Sequence, residues 1–495
     1  MTKLKLNETQ QKIIESNNNH TLVCAGAGTG KSTTIIGKIN YLIKEKKVKE
    51  NEIICISFTN ESVNDLKTKL KKRNLNIPCY TFHKLGLNIL KDKYNTIAPT
   101  NYLDYIINEF FEVANYKNER KKLILDSLNI KYNNKNYSNK YKKTKNEKLL
   151  YLKGIIKKFI ELFKTNNYKP SKLKQFIKEE KKNNKKAILV IIFAIYTIYE
   201  NDLKSTKSID FNDMINESIE KIKRKGLTNK LKYLIIDEFQ DTSNSKFELI
   251  KEIQKNTNCN IFAVGDDFQS IYKFTGCNLN IFLNFNKTFK NVKTYKLEKT
   301  YRNSKELISV AGSFIMKNKR QIKKKLTSNK TIKKPIEIIY YKNLTKTLIK
   351  LINKIYSETH KPILILGRNN FDINEILNKD FILENDNLIY KRNKNIKIRY
   401  LTVHKSKGLE EENVIILNLL NSTRGFPNKL KDHPIFKYVK DNTNEIKYAE
   451  ERRLFYVALT RTKNNNYLLT KKGNESIFIK ELIRKNRKHI KIKKY

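Results

Sequence analysis

The length of 495 residues suggests about three globular domains. Because 39% of the residues are hydrophobic, the chain can form ordinary hydrophobic cores. Its formal net charge of +53 favours a polyanionic partner such as a nucleic acid, although an AT-rich coding sequence would also crowd the chain with Lys, Asn and Ile. Five widely spaced cysteines without a CxxC pair argue against a disulfide framework or a zinc site, and fit a reducing, intracellular setting.

Neither a signal peptide nor a membrane span is predicted. The first residues, MTKLKLNETQQK, lack an apolar signal core. The longest apolar run, 187–199, is too short to span a bilayer comfortably. We therefore expect 187–199 to form a buried helix, and we expect no membrane partner.

Short β-branched runs alternate with amphipathic stretches along the chain. Strands are predicted at 21–25, 53–58, 233–237 and 261–265, and a second set at 336–341, 363–367, 398–403 and 414–420. This alternation predicts two α/β halves with parallel sheets flanked by helices. Residues 85–202 carry a long Lys/Asn-rich helical pattern, which we interpret as a helical insertion in the first half.

A phosphate-binding loop follows the first predicted strand. The segment AGAGTGKST (25–33) matches the pattern G-x-x-x-x-G-K-[ST], with Ala25 at its first position. The backbone N–H groups of such a turn surround phosphate oxygens, Lys31 reaches the β- and γ-phosphates, and the Ser32 hydroxyl holds Mg²⁺. The segment predicts nucleotide binding.

An acidic pair follows the predicted strand at 233–237, in LIIDEFQDTS (234–243). Asp237 is placed to bind Mg²⁺ through water, and Glu238 to orient and deprotonate the attacking water. Acidic residues commonly end strands in solvent, so the pair alone is a weak signal. Together with the phosphate loop it indicates an ATPase site.

Arginines are scarce, with 14 among 102 basic residues, yet ERRLFYVALTR (451–461) contains three. A guanidinium stabilises the charge that develops in phosphoryl transfer better than an ammonium does. We predict this role for Arg461 and for Arg302, which we place after a strand of the second half. Arg452 and Arg453 are interpreted as structural, paired with Glu450 or Glu451.

Aromatic and histidine side chains suggest a nucleic-acid surface. Tyr272 and Phe274 occupy alternate positions in a polar loop, where rings can stack on bases. His83 and His404 both follow predicted strands. The alternative for all four is burial in a core.

The ordered series of motifs resembles the superfamily 1 helicases of the UvrD/Rep type over nearly the whole chain. LNETQ (6–10) resembles their Q motif, AGAGTGKS and SFTNES motifs I and Ia, and TFHKLG the next DNA-contacting motif. DEFQD resembles motif II, VGDDFQSIYKFTG motif III, TYRNS motif IV, TVHKSKGLE motif V and EERRLFYVALTR motif VI. The variants FQD, FTGC and RGFPNKLKDHP are similar to the DNA helicase IV branch.

The resemblance implies two RecA-like P-loop motor domains that use ATP and Mg²⁺. Gln10 would read adenine, Tyr301 would stack on it, and Glu410 would bond the ribose. Gln269 would sense the γ-phosphate, which Arg302 and Arg461 would contact from the second domain. The phosphate-loop residues are Ala25, Gly26, Ala27, Gly28, Thr29, Gly30, Lys31, Ser32 and Thr33.

The resemblance also implies 3′–5′ movement on single-stranded DNA and action on tailed duplexes. The residues expected to line the strand are Thr59, His83, Tyr272, Phe274, Thr402 and His404. Three positions depart from many relatives: Glu61 replaces a basic residue, Thr33 an arginine over the base, and Phe274-Thr275 a Trp-Arg pair.

The expected domains are 1–84 with 203–290, the insertion 85–202, and 291–495. Only 303–401 is available for the large extra subdomain that relatives carry, so we expect it to be absent or vestigial.

Three functions compete. The leading one is an intracellular ATP-dependent DNA helicase or translocase, a monomer or loose assembly on DNA, with repair, replication or transcription proteins as candidate partners. An ATPase that remodels a protein complex such as RNA polymerase would have the same motifs. A small-molecule kinase is contradicted by the arginine-bearing second half.

Overall fold

The structure is a computed structural model that describes residues 5–91, 93–113, 118–129, 139–227, 230–440 and 446–494. The strands are β1 (His20–Ala25), β2 (Ile53–Ser57), β3 (Cys79–Thr81), β4 (Thr96–Ile97), β5 (Ser208–Ile209), β6 (Tyr233–Ile236), β7 (Asn260–Gly265), β8 (Val292–Leu297), β9 (Ile336–Tyr340), β10 (Ile363–Gly367), β11 (Phe381–Glu384), β12 (Asn387–Tyr390), β13 (Ile398–Thr402), β14 (Glu411–Ile416), β15 (Thr462–Thr470) and β16 (Ile490–Lys494).

The helices are α1 (Glu8–Ile14), α2 (Lys31–Lys44), α3 (Asn60–Lys71), α4 (Phe82–Leu90), α5 (Tyr102–Val113), α6 (Asn118–Ser127), α7 (Asn139–Thr165), α8 (Pro170–Glu179), α9 (Asn183–Ser205), α10 (Phe211–Lys225), α11 (Asn244–Thr257), α12 (Leu279–Leu283), α13 (Phe285–Thr288), α14 (Lys305–Ile315), α15 (Leu344–Thr359), α16 (Ala449–Leu459) and α17 (Ile477–Asn486).

The first sheet contains six parallel strands in the order β3-β2-β6-β7-β1-β8. Strands β1, β6 and β7 are buried along most of their length, as expected for continuous apolar runs between two helical layers. Their carboxyl ends lie side by side, which is where ligands bind in open α/β sheets. The four strands predicted for the first half are confirmed.

Strand β8 corrects the predicted domain boundary. It pairs in parallel with β1, from His20 opposite Val292 to Ala25 opposite Leu297, so the boundary at 290/291 is wrong by one strand. Arg302 consequently follows a strand of the first sheet, not of the second half. The reason is physical: β8 is an edge strand with exposed lysines, and its sequence VKTYKL lacks the apolar run of a buried strand.

The second sheet contains eight strands in the order β11-β12-β13-β10-β14-β15-β9-β16. All neighbours pair in parallel except the hairpin β11–β12 and its junction with β13, which are antiparallel. The predicted strands of the second half are confirmed as β9, β10, β13 and β14, although β14 ends at Ile416 rather than at residue 420. The predicted fold class, two α/β units with parallel sheets flanked by helices, is confirmed.

Residues 303–401, all of which the structure describes, are mostly used by the second core. They form α14, β9, α15, β10 and the start of β13, together with the small hairpin β11–β12. The hairpin β11–β12 adds two antiparallel strands to one edge of the second sheet.

Helices α5 to α9, within or overlapping the interval 85–202 that we interpret as an insertion, pack around one apolar core. The apolar run 187–199 lies in α9 and is buried, as predicted. Ile435, Phe436 and Val439, which come from the second half, complete this core. In the described part of the chain, no helix has the length and apolarity needed to cross a membrane.

Candidate nucleotide site and strand-binding surface

The phosphate loop lies between the carboxyl end of β1 and the first turn of α2. Gly28 and Gly30 have left-handed backbone angles, with φ of 69° and 83°, which favour glycine. A side chain at Gly28 would also meet Arg302 Cβ at 2.6 Å. The loop is closed by hydrogen bonds from Thr29 Oγ1 to Gly26 O at 3.0 Å and from Thr300 Oγ1 to Ala27 O at 2.7 Å. The free N–H groups of the first turn of α2, at Lys31, Ser32 and Thr33, therefore face an anion site.

The acidic pair stands opposite this loop at the end of β6. Lys31 Nζ donates to Glu238 Oε1 at 2.7 Å, and Glu238 N donates to Asp237 Oδ1 at 2.8 Å. Burial and the Glu238 carboxylate raise the pKa of Asp237 to about 6. Burial opposes ionisation of Glu238, but Lys31 and Lys407 outweigh it and lower its pKa to about 2. Glu238 is therefore the carboxylate at neutral pH that the role of a base requires.

Lys407 is a residue of this site that the sequence analysis missed. Its ammonium contacts Asp241 Oδ2, donates to Gln269 O at 2.8 Å and lies 3.9 Å from Glu238 Oε2. It also lies 4.9 Å from the centroid of the Tyr272 ring. Lys407 thus contacts both the nucleotide side and the aromatic side of the cleft, from the second half of the chain. It stands in TVHKSKGLE, but one lysine among so many carries no signal.

Arg461 enters the same cleft from the second half. It is buried, and its Nη2 donates to Gln269 Oε1 at 3.1 Å. Its Nε and Nη1 donate to the carbonyl oxygens of Val457 at 2.9 Å and Leu409 at 3.0 Å. Burial and Arg302 lower the pKa of Arg461 to about 9, so it remains a cation at neutral pH. The structure brings Gln269 and Arg461 together, as the resemblance implies.

Arg302 and Glu410 contact each other. Arg302 Nε donates to Glu410 Oε2 at 2.6 Å, and Arg302 Nη1 donates to Thr460 O at 3.3 Å. Burial opposes ionisation of Glu410, but Arg302 lowers its pKa below the ordinary value. A ribose contact by Glu410 therefore competes with its ion pair to Arg302.

The Q-motif residues lie beside the phosphate loop. Gln10 is buried; its Oε1 accepts from Asn7 N at 3.0 Å, and its Nε2 donates to Thr29 O at 3.4 Å. Tyr301 is 57% exposed, its N donates to Gly28 O at 2.9 Å, and its hydroxyl accepts from Asn7 Nδ2 at 2.9 Å. Gln10 and Tyr301 thus approach the loop from two sides, with the Tyr301 ring open to a stacking partner.

Four aromatic side chains form a continuous cluster near Lys407. Tyr272 stacks on Phe58 at 5.6 Å and contacts Phe274 at 6.1 Å. Phe274 meets His404 edge-on at 5.2 Å, and the Tyr272 hydroxyl donates to His404 O at 3.1 Å. Phe274 is 42% exposed, so its ring is available to a base, whereas Tyr272 is largely packed within the cluster. Phe58 was not predicted as a site residue, although it stands in SFTNES at the end of a predicted strand.

His83 lies on a neighbouring part of this surface. Its ring meets Phe211, which is 43% exposed, at 5.4 Å. Burial and Lys246 lower the pKa of His83 to about 4. Lys246 lies 4.2 Å from the Phe58 ring and connects the two groups of aromatic residues.

Thr59 and Thr402, the two threonines predicted to line the strand, accept hydrogen bonds from backbone N–H groups. Thr59 caps α3 by accepting from Ser62 N at 3.2 Å. Thr402 ends β13, is buried, and accepts from Lys405 N at 3.4 Å. Among the departures, Glu61 is exposed in the first turn of α3, and Thr33 lies in the first turn of α2.

Arg452 has a structural contact, but the predicted partner is wrong. It binds Glu481 through two hydrogen bonds of 3.0 and 2.7 Å, while Glu451 binds Arg368. Arg453 is buried and donates to Ser270 O at 2.7 Å. The correct partner of Arg452 lies on α17 and is brought near only by the fold.

Comparison with known proteins agrees with this geometry. Residues 6–290 match the UvrD/REP helicase N-terminal domain, and 370–473 match the UvrD-like helicase C-terminal domain. DNA helicase IV of Escherichia coli is 25% identical over 96% of this chain and 70% of its own length. The ATP-dependent DNA helicase Rep of Buchnera aphidicola from Acyrthosiphon pisum is 30% identical over 93% of this chain and 68% of its own length. The first domain model covers more than half of the chain, and the second covers the part that carries Lys407 and Arg461; the chain therefore belongs to the UvrD/Rep helicase family.

Proposed function

We propose that the protein is an ATP-dependent DNA helicase and single-stranded DNA translocase that moves 3′ to 5′. One observation carries the proposal. The cleft that holds Lys31 and Glu238 on one half and Arg461 on the other is joined, through Lys407 and Tyr272, to an aromatic surface that fits bases. A nucleotide and a strand would then contact the same small set of side chains.

ATP is the substrate in this proposal. Its phosphates would lie on the loop Ala25–Thr33, with Lys31 at the β- and γ-phosphates and the adenine between Gln10 and the exposed ring of Tyr301. Glu238 would take the proton of the attacking water. Gln269, Arg302 and Arg461 would contact the γ-phosphate as negative charge spreads over its oxygens.

Ser32 and Asp237 fit a magnesium ion. They offer a hydroxyl and a carboxylate oxygen at the same end of the first sheet, which is the hard donor set that Mg²⁺ prefers alongside water. When bound, Mg²⁺ neutralises charge on the β- and γ-phosphates.

Movement would come from closure of the two halves around ATP. The proposed motor domains are residues 1–84 with 203–297, and residues 298–495, with 85–202 as a helical insertion. Arg461 and Lys407 belong to the second motor domain but contact Gln269 and Asp241 of the first. Binding of ATP would favour the closed arrangement and hydrolysis would release it, so the aromatic surface would shift with each cycle.

The strand-binding residues in this proposal are Thr59, His83, Tyr272, Phe274, Thr402 and His404, with Phe58 added from the structure. The partners would be single-stranded DNA and tailed duplex DNA inside the cell, with accessory repair, replication or transcription proteins where strand separation needs them. No contact in the described residues favours remodelling of a protein complex over movement on DNA.

The test is a comparison of ATP hydrolysis and strand displacement. Single-stranded DNA should stimulate hydrolysis, Lys31→Ala should abolish it, and a duplex with a 3′ tail should be unwound in preference to one with a 5′ tail. Equal hydrolysis with and without nucleic acid would contradict the coupling, and preference for 5′ tails would contradict the polarity. RNA duplexes with the same tails would measure selectivity for DNA.

A further inference from the structure

A short excursion of the chain brings a buried lysine to the nucleotide-binding half. Residues 318–330 lie between α14 and β9 of the second half, but Thr327 N donates to Glu298 O at 2.7 Å, beside the first sheet. Lys324, in the middle of this excursion, has a fully buried side chain. Its ammonium donates to Asp266 Oδ1 at 2.5 Å, to Asp267 Oδ1 at 2.6 Å and to the phosphate-loop oxygen Ala25 O at 3.3 Å.

Asp266 connects this lysine to the groups around the γ-phosphate position. Its Oδ2 accepts from Gln269 Nε2 at 2.6 Å, and Gln269 Oε1 accepts from Arg461 Nη2 at 3.1 Å. Its backbone N donates to Gln240 Oε1 at 2.8 Å, and Gln240 Nε2 donates to Glu238 Oε2 at 2.7 Å. Asp266 therefore contacts both amides: its carboxylate holds Gln269, which touches Arg461, and its backbone N–H holds Gln240, which touches Glu238.

The charge of Asp266 decides which way the Gln269 amide faces. An ionised carboxylate only accepts hydrogen bonds, so Gln269 must turn its NH₂ group toward Asp266 and its oxygen toward Arg461. A protonated carboxyl can donate, which allows the opposite amide orientation. In that orientation two donors would face each other at Arg461. Lys324 contacts both buried carboxylates of the pair, and it opposes the rise that burial causes in the pKa of Asp267, so the charge of the pair depends on Lys324.

We propose that Lys324 is a positioning residue for the nucleotide reaction: it keeps the acidic pair Asp266–Asp267 ionised, and ionised Asp266 fixes the Gln269 oxygen toward Arg461. This role deepens the proposed ATP hydrolysis and rests on it. Lys324 touches neither the substrate position nor Glu238; it acts through Asp266.

The other groups around the pair do not replace the lysine. Cys24 of β1 and Tyr456 of α16 are both near, and burial raises the pKa of each, that of Cys24 to about 12, so both stay neutral. Gln269 lies between Arg461 and Asp266, so in the described residues Arg461 acts on this carboxylate through its charge and not through a hydrogen bond. Arg453 donates to Gln321 Oε1 at 3.3 Å, and Gln321 Nε2 donates to Asp267 Oδ2 at 2.8 Å.

The first test is Lys324→Met. We expect kcat for DNA-stimulated ATP hydrolysis to fall about 10- to 100-fold, the range for loss of one charged hydrogen bond, with little change in KM for ATP. The acidic pair of the variant should hold a proton to higher pH, so its kcat should rise with pH over a range where the wild-type value is flat. A purely structural defect would give no such recovery.

The second variant, Lys324→Met with Asp267→Asn, restores the net charge of the cluster. We expect it to regain part of kcat at neutral pH, and it stays measurable if the single variant is too unstable to purify. The matched control is Lys330→Met, in the same excursion, because the Lys330 ammonium donates to Lys463 O and Asn464 Oδ1, away from the acidic pair. It should change thermal stability without adding a pH dependence.

Two results would overturn the role of Lys324. One is a Lys324→Met kcat that does not change with pH and is not rescued by Asp267→Asn. The other is a neutron structure of Lys324→Met in which the Gln269 amide still turns its oxygen toward Arg461 and its NH₂ group toward Asp266. The second result needs no ATP turnover. It therefore tests Lys324 even if the wild-type protein does not hydrolyse ATP, which would refute the proposed function instead.

Discussion

Replacing Arg461 with lysine tests the proposed finger most directly. The guanidinium donates in three directions, to Gln269 Oε1, Val457 O and Leu409 O. An ammonium on a flexible stem keeps the charge but cannot hold all three acceptors in one plane. With about two of these bonds lost at roughly 1–2 kcal/mol each, we expect unfolding free energy to fall by about 2–4 kcal/mol.

Arg461→Lys should also lower kcat, by a separate effect on the transition state. A positioned donor that acts on developing charge contributes about 10²- to 10³-fold to kcat, and we expect Arg461→Lys to lose that amount. ATP affinity should change little, because Lys31 and the loop Ala25–Thr33 are untouched. The assay is steady-state hydrolysis with saturating single-stranded DNA, together with equilibrium binding of a fluorescent ATP analogue.

Arg452→Lys is the matched control for this experiment. Arg452 lies on α16, like Arg453, and its guanidinium binds Glu481 and packs 4.7 Å from the Phe314 ring, in the core of the second half. Arg452→Lys should therefore lower stability and leave kcat unchanged. Arg461→Lys with weakened ATP binding but normal turnover at saturation would refute the reasoning and reassign Arg461 to ground-state binding.

Three further predictions follow from the same contacts. Glu238→Gln should bind Mg-ATP and fail to cleave it in a rapid-quench assay; retained cleavage would remove Glu238 as the base. Phe274→Ala should slow translocation more than basal hydrolysis, because a stacked base is worth about 1–3 kcal/mol, and normal translocation would contradict this role. Burial and Lys246 lower the pKa of His83 from 6.5 to about 4. The folded state thus binds fewer protons between these values, so stability should be full above pH 6.5 and fall toward pH 4. Denaturant titrations of His83→Gln should show a shallower fall, and an unchanged slope would count against a buried neutral His83.

The sequence predicts the motor cores because their signals are local. All eight predicted strands lie in sheet interiors and are largely apolar, and the phosphate loop is a contiguous pattern with a fixed geometry. Strand β8 was not predicted because an edge strand needs no apolar run. Its register is set by pairing with β1. Its place in the sheet is a property of the assembled fold.

The charged part of the site was predictable only where a motif marked it. Lys31 and Glu238 stand in recognisable patterns, whereas Lys407 and Lys324 are two among many lysines and gain their roles from burial beside carboxylates. Burial of a lysine side chain depends on segments far apart in the chain, so no window of sequence reveals it. For the same reason the partner of Arg452 could not be named from its neighbours.

The retention of arginine in a lysine-rich chain is therefore not by itself evidence of catalysis. Arg452 donates to both carboxylate oxygens of Glu481, which requires a planar guanidinium. Arg453 donates to Ser270 O and Gln321 Oε1 in the buried junction between the halves. Both needs are geometric, and an ammonium meets neither. Arg453 also donates to the opposite half, but to a backbone oxygen, whereas the acceptor of Arg461 there is the side-chain amide Gln269 Oε1, which the proposed function assigns to the γ-phosphate. That contact, rather than the residue type, supports assigning the finger to Arg461 and structural roles to its two neighbours.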